Sequence, residues 1–504
     1  MKNFFYLLLF TGLAFFTYSC SQDEFEIANT NQRGENEANQ DPSDFRLVGI
    51  TNHENNEYNQ VSLSAVFFRL MSDQMTSTNN YLGFWWFSDE PRRQMTNTTS
   101  NEYLDQHAGG PWARYNSTFL IANRIIKAVE VDNFVFDIDG VDLTNQELAG
   151  AYFDKGMSLG YLSYIYDKAY VVNYDTDVTT VEFSSYKDVL SASLDNFKKA
   201  ITIADNFGND FIYEVNGQSL DLTQFKKLAY SYMARFAIGV ARTDAEAENL
   251  DYNEILGYAN NAITEDYFPP AVFNQFYNNY QDWSLYVLDD NSGYLPSDIK
   301  IQHLFNPTGY PVRYPTDDTV LPAVVSQDPR TSYYEYVGDN FGYLNAARGR
   351  HLFSSYRHTR YWDYNDENQD GIPVQLFPKA EIDYIKAECK YRLGDFSGAV
   401  SILDSSPRML VGNQTTSVNK DAIRNALFYE YSIELDLACG MAVNWAFMRR
   451  HDLLQRGTPT SYPVPATELE ITGDQVYTFG SDYRANDPGT SAGQNDWTTL
   501  NITY

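Results

Sequence analysis

The chain contains little cysteine and little positive charge. Its three cysteines are too few for a disulfide-stapled scaffold or for a four-thiolate zinc or iron–sulfur site. Only 36 lysines and arginines stand against 67 aspartates and glutamates, which gives a net charge of −31. Because such a chain repels phosphate backbones, the composition argues against general nucleic-acid binding. Beyond residue 20 the sequence also lacks an apolar run long enough to cross a bilayer.

Hydrophobic and aromatic residues are abundant. Hydrophobic residues make up 43% of the 504 positions and charged residues 20%, a balance that supports a packed core and excludes global disorder. The length fits about three domains of ~150 residues or one large helical domain. Aromatic residues reach 16%, with 40 tyrosines and 32 phenylalanines. Part of this set belongs to the core, but tyrosine at this density favours surfaces that stack on ligands or hydrogen-bond to them.

Residues 1–19 have the features of a lipoprotein signal peptide. Lys2 supplies a positive start, and the apolar run Phe4–Phe16 has 13 residues, whereas a membrane span needs roughly 20. The run ends at Cys20, directly after the small Ser19. This junction resembles the loose lipobox of Bacteroidetes lipoproteins, which implies cleavage before Cys20 and acylation of its thiol. The alternative is an ordinary secreted protein with a chance cysteine.

The residues after Cys20 predict where the protein is displayed. Ser21–Glu24 resembles the acidic signal that sends such lipoproteins to the outer face of the outer membrane. Residues 20–41 are rich in Asn, Glu and Gln and predict a lipidated flexible leash. The remaining residues, 42–504, are expected to form one soluble domain that the lipid anchor alone holds at the cell surface.

Apolar spacing predicts an all-α-dominated fold of paired helices. Leu190, Leu194, Phe197 and Ile201, for example, fall on one helical face. Successive helices of this size predict a tetratricopeptide-like array. The predicted pairs are Gly150–Tyr166 with Tyr186–Ile203, Leu222–Ala241 with Tyr252–Ile263, and Lys379–Leu393 with Phe396–Leu403.

Two regions break the helical pattern. Residues 46–112 include a loop rich in Trp, Tyr and Asn, and residues 266–377, approximately, form an irregular insertion rich in Tyr, Pro, Gly and Asp. A long irregular insertion within a helical array usually carries function. We therefore expect the insertion at about residues 266–377 to carry function.

Several ordered segments resemble one known family. Ala426–Leu435 carries the most telling motif, in which a usual Glu-Arg pair is replaced by Glu430-Tyr431. The other segments are Tyr115–Ile126, Pro378–Glu388, Arg392–Asp395, Trp445, Met448–Arg450, Asp452–Leu454 and Tyr462–Leu469. Together with the lipobox, they resemble the SusD/RagB family of Bacteroidetes outer-membrane lipoproteins. The replaced pair indicates a divergent SusD-like branch.

The resemblance implies a function in nutrient uptake. It implies a tetratricopeptide-like helical lipoprotein without catalytic activity, which sits on a TonB-dependent SusC-like transporter in the outer membrane. There it would capture an oligosaccharide, or less often a peptide or glycoprotein fragment, and deliver it for import. Apart from calcium, considered below, no cofactor is expected.

A glycan-processing hydrolase is the alternative class. Glu430 and Glu434 lie four residues apart on one predicted helix and could be imagined as the acid and the base of a glycosidase. Side chains at that spacing are neighbours, whereas the two carboxyls of a glycosidase must flank a glycosidic bond. We therefore favour a structural helix whose acids pair with arginines such as Arg424 or Arg449.

Aromatic clusters in the two irregular regions predict the ligand platform. Tyr81, Trp85 and Trp86 lie beside Asn79-Asn80, and Trp283 and Trp362 lie in the insertion. Sugar rings place apolar C–H faces on aromatic rings while amides, acids and arginines bind the hydroxyls. The alternative is that these rings anchor their loops on the helical body.

Arginines and acids of the insertion provide two further candidates. Arg360 belongs to a basic string with Arg348, Arg350 and Arg357, which could bind a carboxylate or sulfate or pair with the protein's own carboxylates. Separately, a calcium-loop pattern places oxygen ligands at positions 1, 3 and 5 and a glycine at position 6. The residues are Asp366, Asn368, Asp370 and Gly371. Because Phe377 stands where an EF-hand needs glutamate, the alternative is a plain acidic turn.

Overall fold

A computed structural model describes residues 41–61, 63–100, 108–177, 179–215, 217–269, 295–338, 344–360, 375–410, 416–480 and 489–500. The chain divides into two compact units, residues 1–45 and 46–504. Of the first unit the structure describes only the start of a helix, and the second unit holds the rest of the described fold.

Helices dominate the described residues, as the apolar spacing predicts. They are α1 (Pro42–Asn59), α2 (Ser64–Met71), α3 (Phe84–Ser88), α4 (Gly109–Glu130), α5 (Thr144–Ile165), α6 (Tyr186–Phe207), α7 (Leu222–Gly239), α8 (Asp244–Ala247), α9 (Tyr252–Asn260), α10 (Ile299–Phe305), α11 (Lys379–Arg392), α12 (Phe396–Leu403), α13 (Pro407–Leu410), α14 (Lys420–Ile433), α15 (Val443–Arg450) and α16 (Ala466–Thr472). Among the described residues, no helix combines the length and the apolar character needed to cross a membrane.

The strands are short and form antiparallel two-stranded ladders. They are β1 (Asp137–Ile138) with β2 (Val141–Asp142), β3 (Lys168–Ala169) with β4 (Ser184–Ser185), β5 (Ile212–Val215) with β6 (Gln218–Asp221), and β7 (Tyr334–Tyr336) with β8 (Tyr356–His358). The β5–β6 ladder leads directly into α7, whose first turn is closed by a capping box between Asp221 and Gln224.

The predicted helix pairs are present and pack in sequence order. Helix α5 packs against α4 and α6, α7 against α6 and α9, and α11 against α9 and α12. Helix α6 shows why the pattern predicts its position: Ser185 caps its first turn and Gly208 follows its last residue. This succession of adjacent helix pairs confirms the predicted tetratricopeptide-like array.

Glycines on α5 let the helices approach closely. A Cβ atom on Gly160 would lie 2.2 Å from Cε2 of Phe236 in α7, and one on Gly156 would lie 2.9 Å from Cδ2 of Phe197 in α6. Both rings therefore occupy space that any side chain would fill. Substitution at either position would push α5 away from its neighbour.

Much of the tyrosine lies in the core rather than on the surface. The Tyr161 hydroxyl donates to Gln60 Oε1 at 2.7 Å, and the Tyr384 hydroxyl donates to Glu430 Oε2 at 2.9 Å. These bonds satisfy the polar end of each ring inside the protein. Tyrosines with less than 2% exposed surface include Tyr115, Tyr161, Tyr164, Tyr166, Tyr232, Tyr384 and Tyr462. These tyrosines belong to the part of the aromatic set that was expected in the core.

The insertion is fastened to the segment that follows α2. Met75 forms an antiparallel bridge with Ser297. On either side of it, the Thr76 amide donates to the Pro296 carbonyl and the Asp298 amide donates to the Gln74 carbonyl, both at 3.1 Å. The two irregular regions predicted from the sequence are therefore in direct contact, and residues 77–80 continue along the insertion.

Candidate functional site

An open cavity of about 570 Å³ lies where the two irregular regions meet. One wall is the extended segment after α2, and the other includes the 3₁₀ turn Ala346–Arg348 of the insertion. The lining residues are Thr78, Asn79, Asn80, Leu344, Asn345, Ala346, Ala347 and Arg348. Among these described lining residues, Arg348 is the only charged one, and the others contribute amide, hydroxyl, apolar or backbone groups.

Thr78 joins the two walls through both its side chain and its backbone. Its Oγ1 accepts a hydrogen bond from the Asn345 amide at 2.8 Å. Its carbonyl accepts one from Arg348 Nη1 at 2.5 Å. Just before it, Thr76 Oγ1 donates to the Leu352 carbonyl at 3.2 Å. The cavity is therefore held open by bonds between distant parts of the chain.

The aromatic segment beside the cavity is more ordered than a loop. It forms a 3₁₀ turn, Tyr81–Gly83, followed by the short helix α3. Phe84 and Phe87 are buried on one face of α3, with ring centroids 5.7 and 4.9 Å from that of Phe67 in α2. This hydrophobic anchorage fixes the whole segment. The helix starts after two left-handed residues, Leu82 (φ 50°) and Gly83 (φ 79°), and the first of these is unfavourable for leucine.

Tyr81 presents its ring to solvent beside the cavity. It follows the lining residue Asn80 directly, is 46% exposed, and meets Phe84 edge-on at 5.8 Å. Its backbone amide donates to Asn79 Oδ1 at 2.8 Å. The turn and the buried phenylalanine thus hold an accessible aromatic surface next to polar groups.

Two arginine side chains lie over the ring of Trp85. The guanidinium carbon of Arg93 lies 4.0 Å from the ring centroid and that of Arg348 lies 4.8 Å from it. A sugar that stacked on this indole would have to displace an arginine. The buried Nε1 of Trp85 has no hydrogen-bond partner among the described residues. The ring therefore supports Arg348 and Arg93 as the structure stands.

Trp86 lies away from this cavity. It is half-buried and lines a separate space of about 10 Å³ together with Met71, Met95 and Pro459. Such a space holds one water at most. Trp86 therefore fits the alternative in which a ring anchors its segment on the protein body.

Asn80 contributes an unused acceptor to the cavity wall. Its Oδ1 atom is buried and has no hydrogen-bond partner in the part of the chain that the structure describes. A buried polar atom without a partner is costly and is usually satisfied by a ligand or water. The asparagine is thus suited to accept a hydrogen bond from a ligand hydroxyl.

Arg360 contacts the protein's own groups and does not line the cavity. Its Nη1 donates to the carbonyl oxygens of Glu434 at 2.6 Å and Asp436 at 2.8 Å. Its Nη2 lies 3.8 Å from the Glu434 carboxylate. In the same basic string, Arg357 pairs with Glu335. These contacts correspond to the alternative of pairing with internal carboxylates.

Glu430 and Glu434 form ion pairs with arginine, as predicted, but not with the two arginines that were named as examples. Arg330 Nη1 donates to Glu430 at 2.8 Å and to Glu434 at 2.9 Å. Glu430 is fully buried. Arg424 instead faces Asp421 at 3.8 Å, and Arg449 donates to backbone carbonyls such as that of Gly239 at 2.6 Å. The glutamate pair thus stabilises the fold.

The other predicted site residues lie outside the described residues. They are the lipidation site Cys20, the insertion tryptophans Trp283 and Trp362, and the calcium-loop residues Asp366, Asn368 and Asp370. Across the described ranges, no group of three or more His, Cys, Asp or Glu side chains is arranged to hold a metal. The calcium loop therefore stays a prediction.

Sequence reasoning missed Thr78 and Asn345 as parts of the site. Neither belongs to a recognisable motif, and 267 residues separate the two positions that bond to each other. Asn79 and Asn80 were visible only as polar neighbours of the aromatic cluster. Arg348 stood out as one arginine of a basic string, without a signal that separates it from Arg357 or Arg360.

Comparison with known proteins gives the fold. No protein-family model and no curated relative matches the chain. A SusD-like carbohydrate-binding protein from Bacteroides vulgatus matches with a TM-score of 0.55 at 15% identity, over 83% of this chain and 86% of the other. A SusD superfamily protein from Parabacteroides distasonis matches with a TM-score of 0.58 at 11% identity, over 86% and 99%.

A third neighbour was solved with a xylogluco-oligosaccharide. It matches with a TM-score of 0.52 at 14% identity, over 81% of this chain and 83% of its own. These neighbours show that the chain has the same helix-dominated, tetratricopeptide-like fold as these solved SusD-like proteins, as the sequence motifs predict.

Proposed function

We propose that this protein is a cell-surface lipoprotein that binds an oligosaccharide at the described cavity and delivers it to a TonB-dependent, SusC-like transporter of the outer membrane. The observation that carries the proposal is the exposed Tyr81 ring beside an open, polar cavity formed where the two irregular regions meet. The carbohydrate-binding neighbours that share the fold support it.

The chemistry of the cavity suits a saccharide. The apolar C–H face of a sugar ring can lie on Tyr81, while Asn80 Oδ1 accepts a hydroxyl hydrogen and the Asn345 and Arg348 side chains supply donors. A ring fixed by its turn and by Phe84 loses little side-chain entropy when ligand binds. The mixture of one aromatic face and several hydrogen-bonding groups favours a sugar over a purely apolar ligand.

Binding without cleavage is part of the proposal. The carboxyl pair that sequence spacing offered for hydrolysis is engaged by Arg330, and Glu430 is buried. The described residues that line the cavity include no Asp or Glu. Incubation with glycans is therefore expected to give complexes and no new reducing ends. Release of reducing ends by the purified protein would favour the hydrolase alternative.

Tyr81→Ala tests the proposed site. A library of plant and host oligosaccharides is screened by glycan array, and the affinity of each hit is measured by calorimetry. We expect Tyr81→Ala to weaken binding at least about tenfold, equivalent to about 1.4 kcal/mol, while Tyr81→Phe retains most of the affinity. Tyr174, which is 40% exposed on another loop, provides the matched control as Tyr174→Ala. Equal affinities for Tyr81→Ala and Tyr174→Ala would contradict the site.

Anchoring and partnership are tested in cells. Cys20→Ala is expected to remove the protein from the outer-membrane fraction, because only the acyl chains tether it, whereas Ser21→Ala leaves it there. Mild detergent extraction of the parent is expected to co-purify a TonB-dependent barrel. Surface display of the Cys20→Ala variant, or repeated absence of the barrel, would contradict these parts of the proposal.

The insertion loop is proposed as a calcium site that supports the fold. Oxygen ligands from Asp366, Asn368 and Asp370 match what Ca²⁺ prefers. Chelation is expected to lower the melting temperature of the parent and to leave that of Asp370→Ala unchanged. Asp421→Ala, at an exposed acid of α14, should keep the parent's response to chelator. Identical melting curves of the parent with calcium and with chelator would leave only an acidic turn.

A further inference from the structure

We infer that the ligand of this cavity is an acidic oligosaccharide, and that Arg348 binds its carboxylate or sulfate group. The inference rests on the proposed glycan-binding function and adds the class of sugar. One observation supports it: in a strongly acidic protein, the guanidinium of Arg348 lines an open cavity, and among the described residues it has no carboxylate partner and the cavity has no acidic lining residue.

Other described arginines show how unusual this environment is. Arg235 is paired with Glu381 at 2.7 Å, Arg450 with Glu388 at 2.7 Å, and Arg92 with Asp73. Arg449, which has no carboxylate, is buried among backbone carbonyl oxygens instead. Arg348 is half-buried, and the only hydrogen bond that its guanidinium makes in the described part of the chain goes to the Thr78 carbonyl.

Arg348 is also held in position for a ligand. Nη1 is fixed by Thr78 at 2.5 Å, and the guanidinium carbon lies 4.8 Å from the centroid of the Trp85 ring. Nε and Nη2 donate to no protein group within the described residues. A guanidinium presents its donors as a planar fork that matches a carboxylate or a sulfate, and fixing the fork in advance reduces the cost of binding.

The electrostatics favour an anion at this place. Arg93, which shares the Trp85 ring, is already paired with Asp89 at 2.5 Å, so its charge is largely compensated. The charge of Arg348 is not compensated by the cavity walls. A hydrogen bond between ionised partners is roughly twice as strong as one between neutral groups. A neutral sugar would form only weaker hydrogen bonds with Arg348, because it offers no ionised acceptor.

The experiment compares matched acidic and neutral ligands. The probes are tetragalacturonate and its carboxyl-reduced counterpart, and a sulfated chondroitin tetrasaccharide and its desulfated, carboxyl-reduced counterpart. We expect the parent to bind at least one acidic member about tenfold or more tightly than its neutral counterpart at low salt, with the ratio falling as salt rises. The first pair reports a carboxylate and the second adds a sulfate.

Substitutions at position 348 distinguish recognition of the anion from structural support of the cavity wall. Arg348→Gln is expected to bring the acidic-to-neutral affinity ratio close to one, because it removes the charge that only the acidic ligand uses and keeps a hydrogen-bond donor for either ligand. Arg348→Lys should give an intermediate ratio because it keeps the charge and loses the fork. Arg424→Gln removes the same charge from α14, where Arg424 pairs with Asp421, and should leave the ratio unchanged.

Two outcomes would overturn the inference and one would remove its basis. If the parent binds neutral oligosaccharides as tightly as acidic ones and Tyr81→Ala abolishes both, the proposed function stands and the anionic class is wrong. If Arg348→Gln weakens acidic and neutral ligands equally, Arg348 supports the cavity wall and does not read the anion. If no oligosaccharide binds the parent in the array or by calorimetry, the proposed function itself fails.

Discussion

Arg330 and Arg348 belong to the same insertion, and each lies in a 3₁₀ turn, yet their surroundings differ completely. The Arg330 side chain is 2% exposed and contacts Asp328 and Glu430 at 2.8 Å and Glu434 at 2.9 Å. Arg348 is half-buried and contacts a carbonyl oxygen and an indole ring.

The difference lies in where the carboxylates are. Burial by itself raises the pKa of Asp328, but the hydrogen bonds and charge of Arg330 outweigh it and hold that pKa below its ordinary value. Arg330 thereby links the insertion to Glu430 of helix α14 and to Glu434 directly after that helix. Around Arg348 the described wall residues are asparagines, a threonine and small or aliphatic apolar residues, without a carboxylate. In a protein with a net charge of −31, an arginine that the fold leaves without a carboxylate is therefore informative about function.

The largest effect is expected from Arg330→Met. This variant leaves Glu430 fully buried, with Arg408 at 3.4 Å as its nearest remaining cation. Removing one partner of a buried ion pair typically costs about 3–5 kcal/mol of stability. Urea unfolding followed by circular dichroism measures the loss. Arg348→Gln is the matched comparison, and we expect it to change stability by less than about 1 kcal/mol. Similar losses in both variants would erase the distinction between the two arginines.

His53 extends the comparison to a cation whose charge depends on pH. Its Nδ1 lies 2.7 Å from Asp154 Oδ1 and its Nε2 lies 3.4 Å from Glu57 Oε1. Burial alone lowers the pKa of His53, but the charges of Asp154 and Glu57 and the hydrogen bonds to them outweigh it and raise the pKa to about 10. Folded His53 therefore keeps its proton at pH values where the unfolded chain has lost it.

The consequence is a stability that falls with rising pH. The contribution of His53 is fully present below the unfolded pKa of roughly 6.5 and is lost as pH rises toward the folded value, at up to about 1.4 kcal/mol per pH unit. We expect His53→Gln to be less stable at pH 7 and to show a flatter decline between pH 7 and pH 9. Chemical denaturation of both proteins across this range tests the prediction. Parallel stability curves would mean that His53 is neutral in the folded protein.

The smallest effect is expected from Trp85→Leu. The substitution keeps an apolar side chain but removes the ring that Arg93 and Arg348 face. A cation–π contact at a partly exposed site contributes about 0.5–1 kcal/mol. We therefore expect a two- to fivefold fall in the acidic-to-neutral affinity ratio and little change in melting temperature. If neutral ligands lose more affinity than acidic ones, the indole is itself the sugar platform, as the sequence suggested.

Local sequence patterns predicted the helices well because the residues that form each pattern lie within the helix that it predicts. The predicted helix Lys379–Leu393, for example, ends one residue from the observed Lys379–Arg392. The segment after Tyr81 was predicted as a loop but contains α3, because Phe84 and Phe87 bury their rings against Phe67 of α2. That contact joins separate elements of the fold, and a five-residue helix is too short to show a helical period in the sequence.

The candidate site was predictable only in outline. The two irregular regions could be identified, but the bonds that join them connect positions 267 and 270 residues apart. The partners of Glu430 and Glu434 were sought on the same helix or the next one, whereas Arg330 reaches them from 100 residues earlier in the chain. Spacing along a sequence carries no information about such pairs.

The double role of Thr78 has a consequence for how this site can change over evolution. Arg348 is fastened to the Thr78 carbonyl, which every residue type possesses, so that connection survives substitution of the Thr78 side chain. The side-chain hydroxyl accepts a hydrogen bond from the Asn345 amide, which is again a backbone group. The short turn that carries Asn345 and Arg348 can thus exchange side chains and keep the bond from its Asn345 amide, whereas a substitution of Arg348 removes the bond to the Thr78 carbonyl. Ligand preference can drift in this turn without a matching change elsewhere in the helical array.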